Sequence, residues 1–359
     1  MSAPVTLGSW PTPLEPAPRL ARALGLGPDD LFMKRDDLTG LGAGGNKVRK
    51  LEWLCGAALA EGADTLVTVG AAQSNHARLT AAAGARLGLD VVLVLAGRGD
   101  AAADGNLALD GLLGATVIWA GDMAHEELGD VAAAEVARCR AAGAHPALIP
   151  YGGSNAPGAR GYADCGRELL AQAPDLATVV TALGSGGTMA GLVHVLGAPR
   201  VLGIDVGAVS EPAATVAALV AELDGAPPAP ERLRLRLDQV GPGYGVLTDA
   251  VLAAMRLAAR TEGLILDPVY TGRAMAGLVA AVAEGEVAPG AVTVFLHSGG
   301  LPGLFGHAGA MTRVSAPEDP PTASRPAAGD AAAPSGRPAP GRRPPLRGSG
   351  SSGAGPGAP

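Results

Sequence analysis

Lys47 follows a glycine-rich run in the segment GLGAGGNKVRKLE, where a lysine amine can act as a nucleophile. Gly42, Gly44 and Gly45 would let the backbone approach a ligand closely, with the Lys47 amine pointing into the same space. The chain has three lysines against 24 arginines, and an ammonium can lose its proton whereas a guanidinium effectively cannot. The segment also fits a solvent-exposed lysine at a helix start. It does not fit a phosphate-binding P-loop, because Val48 stands where that motif requires a hydroxyl.

Three polar residues, Gln73, Ser74 and Asn75, stand between a predicted strand and a predicted helix in the segment VTVGAAQSNHAR. The free backbone N–H groups and the positive dipole end of a helix favour a bound carboxylate. Ser74 and Asn75 would add side-chain donors to such a site. A simple helix cap explains the two residues as well, although three adjacent polar residues exceed what one cap needs.

A second strand-to-helix turn, in the segment TALGSGGTMAGL, has the composition of a phosphate-binding loop. Backbone amides at the start of a helix can cradle a phosphate. The candidate residues are Gly184, Ser185, Gly186, Gly187 and Thr188. The same glycines come close to the dinucleotide fingerprint GxGxxG, and Asp205 lies about 20 residues further on, where a ribose partner would fall. A nicotinamide-dependent dehydrogenase therefore stays open as an alternative.

Two of the four tyrosines fall in polar, turn-rich surroundings, Tyr244 in GPGYGV and Tyr270 in LDPVYTGRAM. Glycines on both sides of Tyr244 favour the close approach of a ligand, although either ring also suits a core position with its hydroxyl at the surface. The segment FLHSGGLPGLFGH is a further strand that ends in a glycine turn, and it contributes His297 and Ser298. A hydrogen-bonded core residue is the expectation for His297.

The elements that would position these residues alternate along the chain. Short β-branched runs, typical of buried strands, lie at 65–70, 91–96, 116–120, 178–184, 201–206 and 292–297. Alanine- and leucine-rich stretches, typical of helices, follow five of them at 76–87, 104–113, 126–142, 187–196 and 211–223. This alternation predicts an α/β protein with parallel sheets flanked by helices. Ligands of such sheets bind beyond the carboxyl ends of the strands, where the polar turns fall.

Composition excludes several classes of protein. With 359 residues, 48% of them hydrophobic, the chain can bury a large core. Its formal charge of −7 argues against a nucleic-acid surface, and its histidines and three cysteines lack the spacing of a metal site. No stretch approaches the roughly 20 apolar residues that span a bilayer, and no early segment resembles a secretory signal. We therefore expect no metal, no nucleic acid, no membrane and a cytoplasmic location.

The composition changes at about residue 316 to Pro, Gly, Ala, Ser and Arg. Such a segment has almost no apolar surface to bury. We expect the tail 316–359 to be disordered.

Taken together, six segments resemble one family of pyridoxal-5′-phosphate (PLP) enzymes. They are GGNKVRKLE, QSNHAR, LGSGGTMAG, GPGYG, DPVYTGRAMAGL and HSGGLPGLFG. The family contains D-cysteine desulfhydrase and 1-aminocyclopropane-1-carboxylate deaminase and has the tryptophan synthase β-like fold (PLP fold type II). The resemblance implies two lobes: a large PLP-binding domain from 1–50 and 161–315, and a small domain, 51–160, inserted between these segments. It also implies a homodimer.

The resemblance implies a role for several residues at the cofactor and the substrate. Lys47 would hold PLP as a Schiff base, Asn75 would donate to the cofactor's 3′-oxygen, and the 184–188 loop would bind its phosphate. Gln73, Ser74 and Asn75 would receive the carboxylate of a small amino acid. Tyr244 and Tyr270 would flank the reacting carbons, with either Lys47 or Tyr270 taking the α-proton.

Two positions favour one reaction within the family. Deaminases resemble DPVYEG and HLGG here, with the glutamate serving the pyridine nitrogen, whereas this chain has Thr271 and Ser298. A hydroxyl does not keep that nitrogen protonated as a carboxylate does. We therefore expect β-elimination from D-cysteine, with Thr271 at the cofactor and Ser298 at the substrate. A deaminase, or a lyase for L-cysteate or another β-substituted alanine, remains the alternative. His307 stands where many relatives carry tyrosine.

Overall fold

Two β-sheets organise the protein in a computed structural model that describes residues 2–99, 103–123, 127–223 and 226–316. The tail predicted from residue 316 onward lies outside these ranges, apart from Ala316. The predicted lobe boundaries at residues 50 and 160 stay a prediction.

The first sheet is formed by segments from both ends of the chain. Its spatial order is β1 (Leu14–Pro16), β2 (Leu31–Lys34), β10 (Thr293–Leu296), β7 (Thr178–Leu183), β8 (Val201–Asp205) and β9 (Arg234–Arg236). The β1–β2 pair is antiparallel and the other neighbours are parallel. Strands β8 and β10 are buried at every position, as expected where helices cover both faces of a parallel sheet.

The second sheet comes from the middle of the chain and is parallel throughout. Its order is β5 (Thr116–Trp119), β4 (Asp90–Ala96), β3 (Thr65–Ala71) and β6 (Pro146–Leu148). The central strands β3 and β4 consist almost wholly of buried Val, Leu and Thr side chains.

Helices connect the strands and cover the sheets. They are α1 (Pro18–Ala23), α2 (Lys47–Ala60), α3 (Asn75–Leu87), α4 (Gly105–Leu112), α5 (Leu128–Ala141), α6 (Ala156–Gln172), α7 (Gly187–Leu196), α8 (Pro212–Glu222), α9 (Asp249–Glu262), α10 (Thr271–Ala283), α11 (Leu301–Phe305) and α12 (Ala308–Ser315). None of the helices in the described ranges is long and apolar enough to cross a membrane.

The architecture confirms the α/β prediction. All six predicted strands are present with ends within one residue of the expected ones. The sequence did not reveal β1, β2, β6 and β9, which have three or four residues each. Strands this short carry too few side chains for an alternating pattern to stand out.

A buried network of charges fixes helix α2 to the rest of the protein. The Arg49 guanidinium donates to Asp36 Oδ2 at 2.8 Å and to Glu168 Oε2 at 2.8 Å. The Tyr162 hydroxyl donates to the same Asp36 oxygen at 2.6 Å, and the Trp10 ring lies 4.1 Å from the guanidinium carbon. Since Glu168 and Tyr162 belong to α6, the network joins α2 to α6 and sets the direction in which α2 begins.

We predict that Asp36→Asn lowers the free energy of unfolding at pH 7 by about 3 kcal/mol, because the buried Arg49 charge loses its partner. Burial raises the pKa of the Asp36 carboxyl, but Arg49 outweighs this and holds that pKa below its ordinary value. The stabilisation is therefore present above the pKa of an unfolded aspartate and is lost as pH falls through the folded-state pKa. Urea unfolding at pH 7 measures the loss.

The matched control is Asp249→Asn, which removes an exposed partner of Arg313. An exposed pair contributes at most about 1 kcal/mol. Similar losses for the two variants would contradict the structural role of Asp36.

Candidate active site

A cleft that opens to solvent lies at the carboxyl ends of strands from both sheets; the empty space in it, with open solvent counted, is about 710 Å³. Ala71 ends β3, Leu183 ends β7, and Ser298 follows β10 closely. The residues that line the cavity are Asn46, Lys47, Lys50, Ala71, Ser74, Asn75, His76, Tyr151, Gly152, Ala182, Leu183, Gly184, Ser185, Gly186, Thr188, Met189, Tyr244, Tyr270, Ser298 and Gly299. The polar turns predicted from the sequence therefore meet at one place.

Lys47 enters this cavity as the first residue of α2. The loop before it needs glycine: at Gly44, where φ is 72°, a Cβ atom would lie 2.0 Å from the Asp37 carbonyl oxygen. The Lys47 amine donates to Asn46 Oδ1 at 3.4 Å. The glycine run thus turns the chain sharply and delivers the amine to the cavity, as the sequence predicts.

The electrostatic surroundings of Lys47 favour its neutral form. Burial and the nearby Arg78 guanidinium lower the pKa of the Lys47 amine to about 8, against the opposing charge of Asp267. Its position at the N-terminus of a helix acts in the same direction, because the dipole disfavours a cation there. Roughly a tenth of the amine is therefore neutral and nucleophilic at pH 7.

The start of α3 presents Ser74 and Asn75 to the cavity. Ser74 caps the helix, accepting the Ala77 N–H at its hydroxyl at 3.1 Å, so the capping role weighed from the sequence is present. Asn75 Oδ1 accepts from Asn106 Nδ2 at 2.9 Å and from an Arg78 guanidinium nitrogen at 3.4 Å. Since its oxygen is occupied, the Asn75 amide has its N–H₂ group left to donate to a ligand.

Gln73, the third residue of the predicted set, is not among the lining residues. Its Oε1 accepts the Asn106 backbone N–H at 2.8 Å, and its Nε2 donates to the Asp104 carbonyl at 3.1 Å. Both polar atoms of the Gln73 side chain are thus hydrogen-bonded to α4 and to Asp104, the residue that precedes α4. The assignment of Gln73 to a substrate carboxylate stays a prediction.

The predicted phosphate loop forms the N-terminus of α7. Gly186 has a φ of 89°, which favours glycine. At Gly187 an added Cβ would lie 2.7 Å from Ser154 Oγ and 3.1 Å from the Lys50 amine, so the backbone approaches both polar groups closely. Thr188 Oγ1 accepts from Asn46 Nδ2 at 3.0 Å, which ties this loop to the residue before Lys47.

Lys50 and Ser154 join this loop, and sequence reasoning missed both. The Lys50 amine donates to the Gly152 carbonyl and to Ser154 Oγ, each at 3.1 Å. Burial, followed by the charge of Lys47, lowers the pKa of this amine well below its ordinary value. A signal was present, because Lys50 lies three residues after Lys47 on the same face of a helix, in a chain with few lysines.

The two predicted tyrosines meet at the cavity through their hydroxyls. The Tyr244 and Tyr270 oxygens are 2.6 Å apart, and the rings are edge to face with centroids 6.3 Å apart. Tyr244 is 41% exposed. Burial, followed by the neighbouring Tyr244, raises the pKa of Tyr270 well above its ordinary value. The pair is therefore a source of protons at neutral pH rather than a base.

Ser298 lines the cavity, whereas Thr271 is not among the lining residues. The Thr271 hydroxyl is fully buried; it donates to Asp267 Oδ1 at 2.7 Å and accepts the Asp267 backbone N–H at 2.8 Å. Its assignment to the cofactor stays a prediction. His297 is buried and accepts the Gly299 N–H at 3.3 Å, as expected for a hydrogen-bonded core residue.

The groups at the cavity fit a ligand that carries an aldehyde and a phosphate. Lys47 offers an amine of lowered pKa for the aldehyde. The α7 N-terminus offers backbone amides for the phosphate, and a bound phosphate would favour the charged form of the neighbouring Lys50 amine. Asn75 offers a side-chain N–H donor for a further oxygen of such a ligand, since its own oxygen is occupied. The described lining residues include no aspartate or glutamate that would repel an anion.

Comparisons with known proteins agree with this chemistry. Residues 5–299 match the family model described as pyridoxal-phosphate dependent enzyme. A putative 1-aminocyclopropane-1-carboxylate deaminase of Pyrococcus abyssi (strain GE5 / Orsay) is 42% identical over 316 residues, covering 84% of this chain and 92% of that protein. A D-cysteine desulfhydrase of Salmonella schwarzengrund (strain CVM19633) is 41% identical over 312 residues, covering 83% and 94%.

Two solved structures are similar in fold. The structure described as an ACC deaminase homologue superposes with a TM-score of 0.79 at 36% identity, covering 87% of this chain and 96% of that one. A threonine deaminase of T.th. has a TM-score of 0.57 at 26% identity, covering 80% and 92%.

We predict that acylation of Lys47 in the cofactor-free protein rises with pH about a midpoint near 8, because only the neutral amine reacts. An unperturbed lysine amine has a pKa of about 10.4. Brief labelling with acetic anhydride from pH 6 to pH 11, followed by peptide mass spectrometry, gives the midpoint. A midpoint above about 10 would contradict the low-pKa environment.

Proposed function

Because the chain belongs to the family of pyridoxal-phosphate dependent enzymes, we propose that it eliminates sulfide from D-cysteine and yields pyruvate and ammonia. The membership also selects PLP, rather than the nicotinamide dinucleotide left open by the 184–188 loop, as the cofactor. The observation that carries the proposal is the convergence of a lysine with a lowered pKa, the N-terminal turn of α7 and a pair of tyrosine hydroxyls on one cavity.

Two helix N-termini at the cavity would bind different groups, α7 the cofactor phosphate and α3 the substrate carboxylate. The α7 N-terminus and Lys50 would hold the cofactor phosphate, and Lys47 would carry the cofactor covalently. Asn75 would donate its side-chain N–H to the cofactor oxygen, since Asn106 and Arg78 occupy its own oxygen. The α3 N-terminus, with the Ser74 hydroxyl, would receive the substrate carboxylate.

Lys47 is the better candidate for the base that removes the α-proton. When bound, PLP supplies an electron sink for the electron pair left on the α-carbon. A Lys47 amine that is not bonded to the cofactor would stand at the cavity as a base, since its pKa of about 8 would let it accept a proton near neutral pH. Tyr270 keeps its own proton, because its pKa is raised.

Tyr270 and Tyr244 would act when the sulfur leaves, by supplying a proton to it. The Tyr270 hydroxyl would donate its proton to the departing hydrosulfide, which leaves as hydrogen sulfide. Tyr244, which is partly exposed and hydrogen-bonded to Tyr270, would return a proton from solvent, and Lys47 would release the α-proton to solvent. The unsaturated product would add water and lose ammonia, so D-cysteine and one water give pyruvate, ammonia and hydrogen sulfide.

The lining of the cavity favours elimination over opening of a cyclopropane ring. The described lining residues include no carboxylate that would protonate the pyridine nitrogen, and the Thr271 hydroxyl is bonded to Asp267. An unprotonated ring is a weaker electron sink, which suffices for loss of a good leaving group. The relative named as a putative 1-aminocyclopropane-1-carboxylate deaminase keeps that reaction as the alternative.

We also infer a cytoplasmic homodimer. Cys55, Cys139 and Cys165 are free thiols, which suits a reducing compartment. Leu112 on α4 and the side chains of Leu301 and Phe305 on α11 are exposed apolar groups, and α4 packs on α11. An exposed apolar face of this kind suits contact with a second copy of the chain. Light scattering of the purified protein tests this, because a homodimer has twice the 35.3 kDa mass of the chain.

We predict the fastest pyruvate release from D-cysteine in a panel of D- and L-cysteine, L-cysteate and β-chloroalanine, with slower release of 2-oxobutyrate from 1-aminocyclopropane-1-carboxylate. The ratio of kcat/KM values ranks the substrates. Coupled assays of the two keto acids, with ammonia as the common product, give the numbers. Faster turnover of the cyclopropane substrate would overturn the choice of elimination.

We predict that Lys47→Ala abolishes covalent attachment of PLP, whereas Lys50→Met retains it. Both lysines line the cavity, but Lys47 is only partly buried, whereas Lys50 is fully buried and its amine donates to the Gly152 carbonyl and to Ser154 Oγ. Borohydride reduction followed by peptide mapping locates the label. Attachment to Lys34 or Lys50 in the wild-type protein would refute the assignment of Lys47.

A further inference from the structure

The segment that carries Tyr244 has one backbone hydrogen bond of its own, from the Val246 N–H to the Gly243 carbonyl at 3.3 Å. Residues 241–246, GPGYGV, lie outside the helices and strands. Gly243 and Gly245, on either side of Tyr244, have φ values of 157° and 77°, and glycine has the greatest backbone freedom of any residue. The 2.6 Å contact between the Tyr244 and Tyr270 hydroxyls therefore depends on bonds from other elements.

Arg273 supplies some of these bonds from the first turn of α10. Its guanidinium donates to the Gly243 carbonyl at 2.7 Å, to the Val246 carbonyl at 3.0 Å and to the Val206 carbonyl at 2.6 Å. The side chain is fully buried. Tyr270, whose hydroxyl contacts that of Tyr244, directly precedes α10. Arg273 therefore joins the Tyr244 segment to the helix that begins next to Tyr270.

His307 supplies the remaining bond, to the carbonyl directly after Tyr244. Its Nδ1 accepts the Ala310 backbone N–H at 3.0 Å and caps α12. Its Nε2 lies 2.7 Å from the Gly245 carbonyl oxygen. A carbonyl can only accept and an amide N–H can only donate, so the ring is the neutral tautomer with its proton on Nε2.

We propose that His307 is a positioning residue that fixes Tyr244 for the reaction. His307 and Arg273 together donate hydrogen bonds to the carbonyls of Gly243, Gly245 and Val246. The backbone is therefore held at both glycines that flank Tyr244. The ring spans from the start of α12 to this segment and uses both nitrogens. The inference rests on the proposed function, in which Tyr244 returns a proton to Tyr270, and gives His307 a role in the same site.

The test separates the two bonds of the ring. In His307→Asn the shorter side chain still caps α12, since asparagine is a favoured N-cap residue, but it cannot reach Gly245. In His307→Ala both bonds are lost. We expect His307→Asn to keep the melting temperature of the wild-type holoenzyme and His307→Ala to lower it. Amide hydrogen exchange of residues 243–247 should be faster in both variants.

The value of kcat then shows whether the hydrogen bond from His307 to the Gly245 carbonyl affects the reaction through Tyr244. We expect kcat of the His307→Asn holoenzyme to fall about tenfold, equivalent to about 1.4 kcal/mol, with little change in KM. In a Tyr244→Phe background the same substitution should cause no further fall, because the hydroxyl it positions is absent.

Two results would overturn the proposal. One is amide hydrogen exchange of residues 243–247 in His307→Asn at the wild-type rate. The other is a double variant whose loss of kcat equals the product of the losses in the two single variants. Unchanged kcat in Tyr244→Phe alone would refute the role of Tyr244 in the proposed function. In that case the exchange rates still decide whether His307 holds the segment.

Discussion

The site depends on buried positive charge that the protein offsets only in part, through Asp267 near Lys47 and Asp110 near Arg78. Burial, followed by the charge of Arg78, lowers the pKa of Lys47, and burial, followed by the charge of Lys47, lowers the pKa of Lys50. The described lining of the cavity includes no carboxylate. Like charges at low dielectric favour loss of a proton or the arrival of an anion. The same constraint therefore makes Lys47 a nucleophile and makes the cavity receptive to a phosphate and a carboxylate.

Helix α2 shows how the chain separates paired charges from unpaired ones. Arg49 lies between the two lysines in sequence, yet it faces the opposite way and is fully matched by Asp36 and Glu168. Breaking a buried pair is costly, so this side of the helix supplies rigidity. The unmatched lysines on the other side then stay fixed at the cavity, and binding of an anion can stabilise them without moving the helix.

Patterns local in sequence predicted six of the strands, the turn that carries Lys47, the α7 loop and the tyrosines. Each depends on a run of apolar residues, a glycine turn or a polar cluster that can be read along the chain. Long-range partners could not be read in this way. Ser154 reaches the α7 loop, Asp267 takes the Thr271 hydroxyl, and Asn106 engages Gln73 only because the tertiary fold brings them together.

The central claim is that a bound anion completes this cationic cavity. It is tested most directly by thermal unfolding of the cofactor-free protein with PLP, with pyridoxal and with inorganic phosphate at equal concentrations. A ligand that binds only the folded state stabilises it by RT ln(1 + L/Kd), where L is the free ligand concentration, so at equal concentration the tighter ligand stabilises more. The account predicts a large rise in melting temperature with PLP, a small rise with phosphate, and the smallest with pyridoxal, which can react with Lys47 but brings no phosphate. Equal stabilisation by pyridoxal and PLP would contradict it.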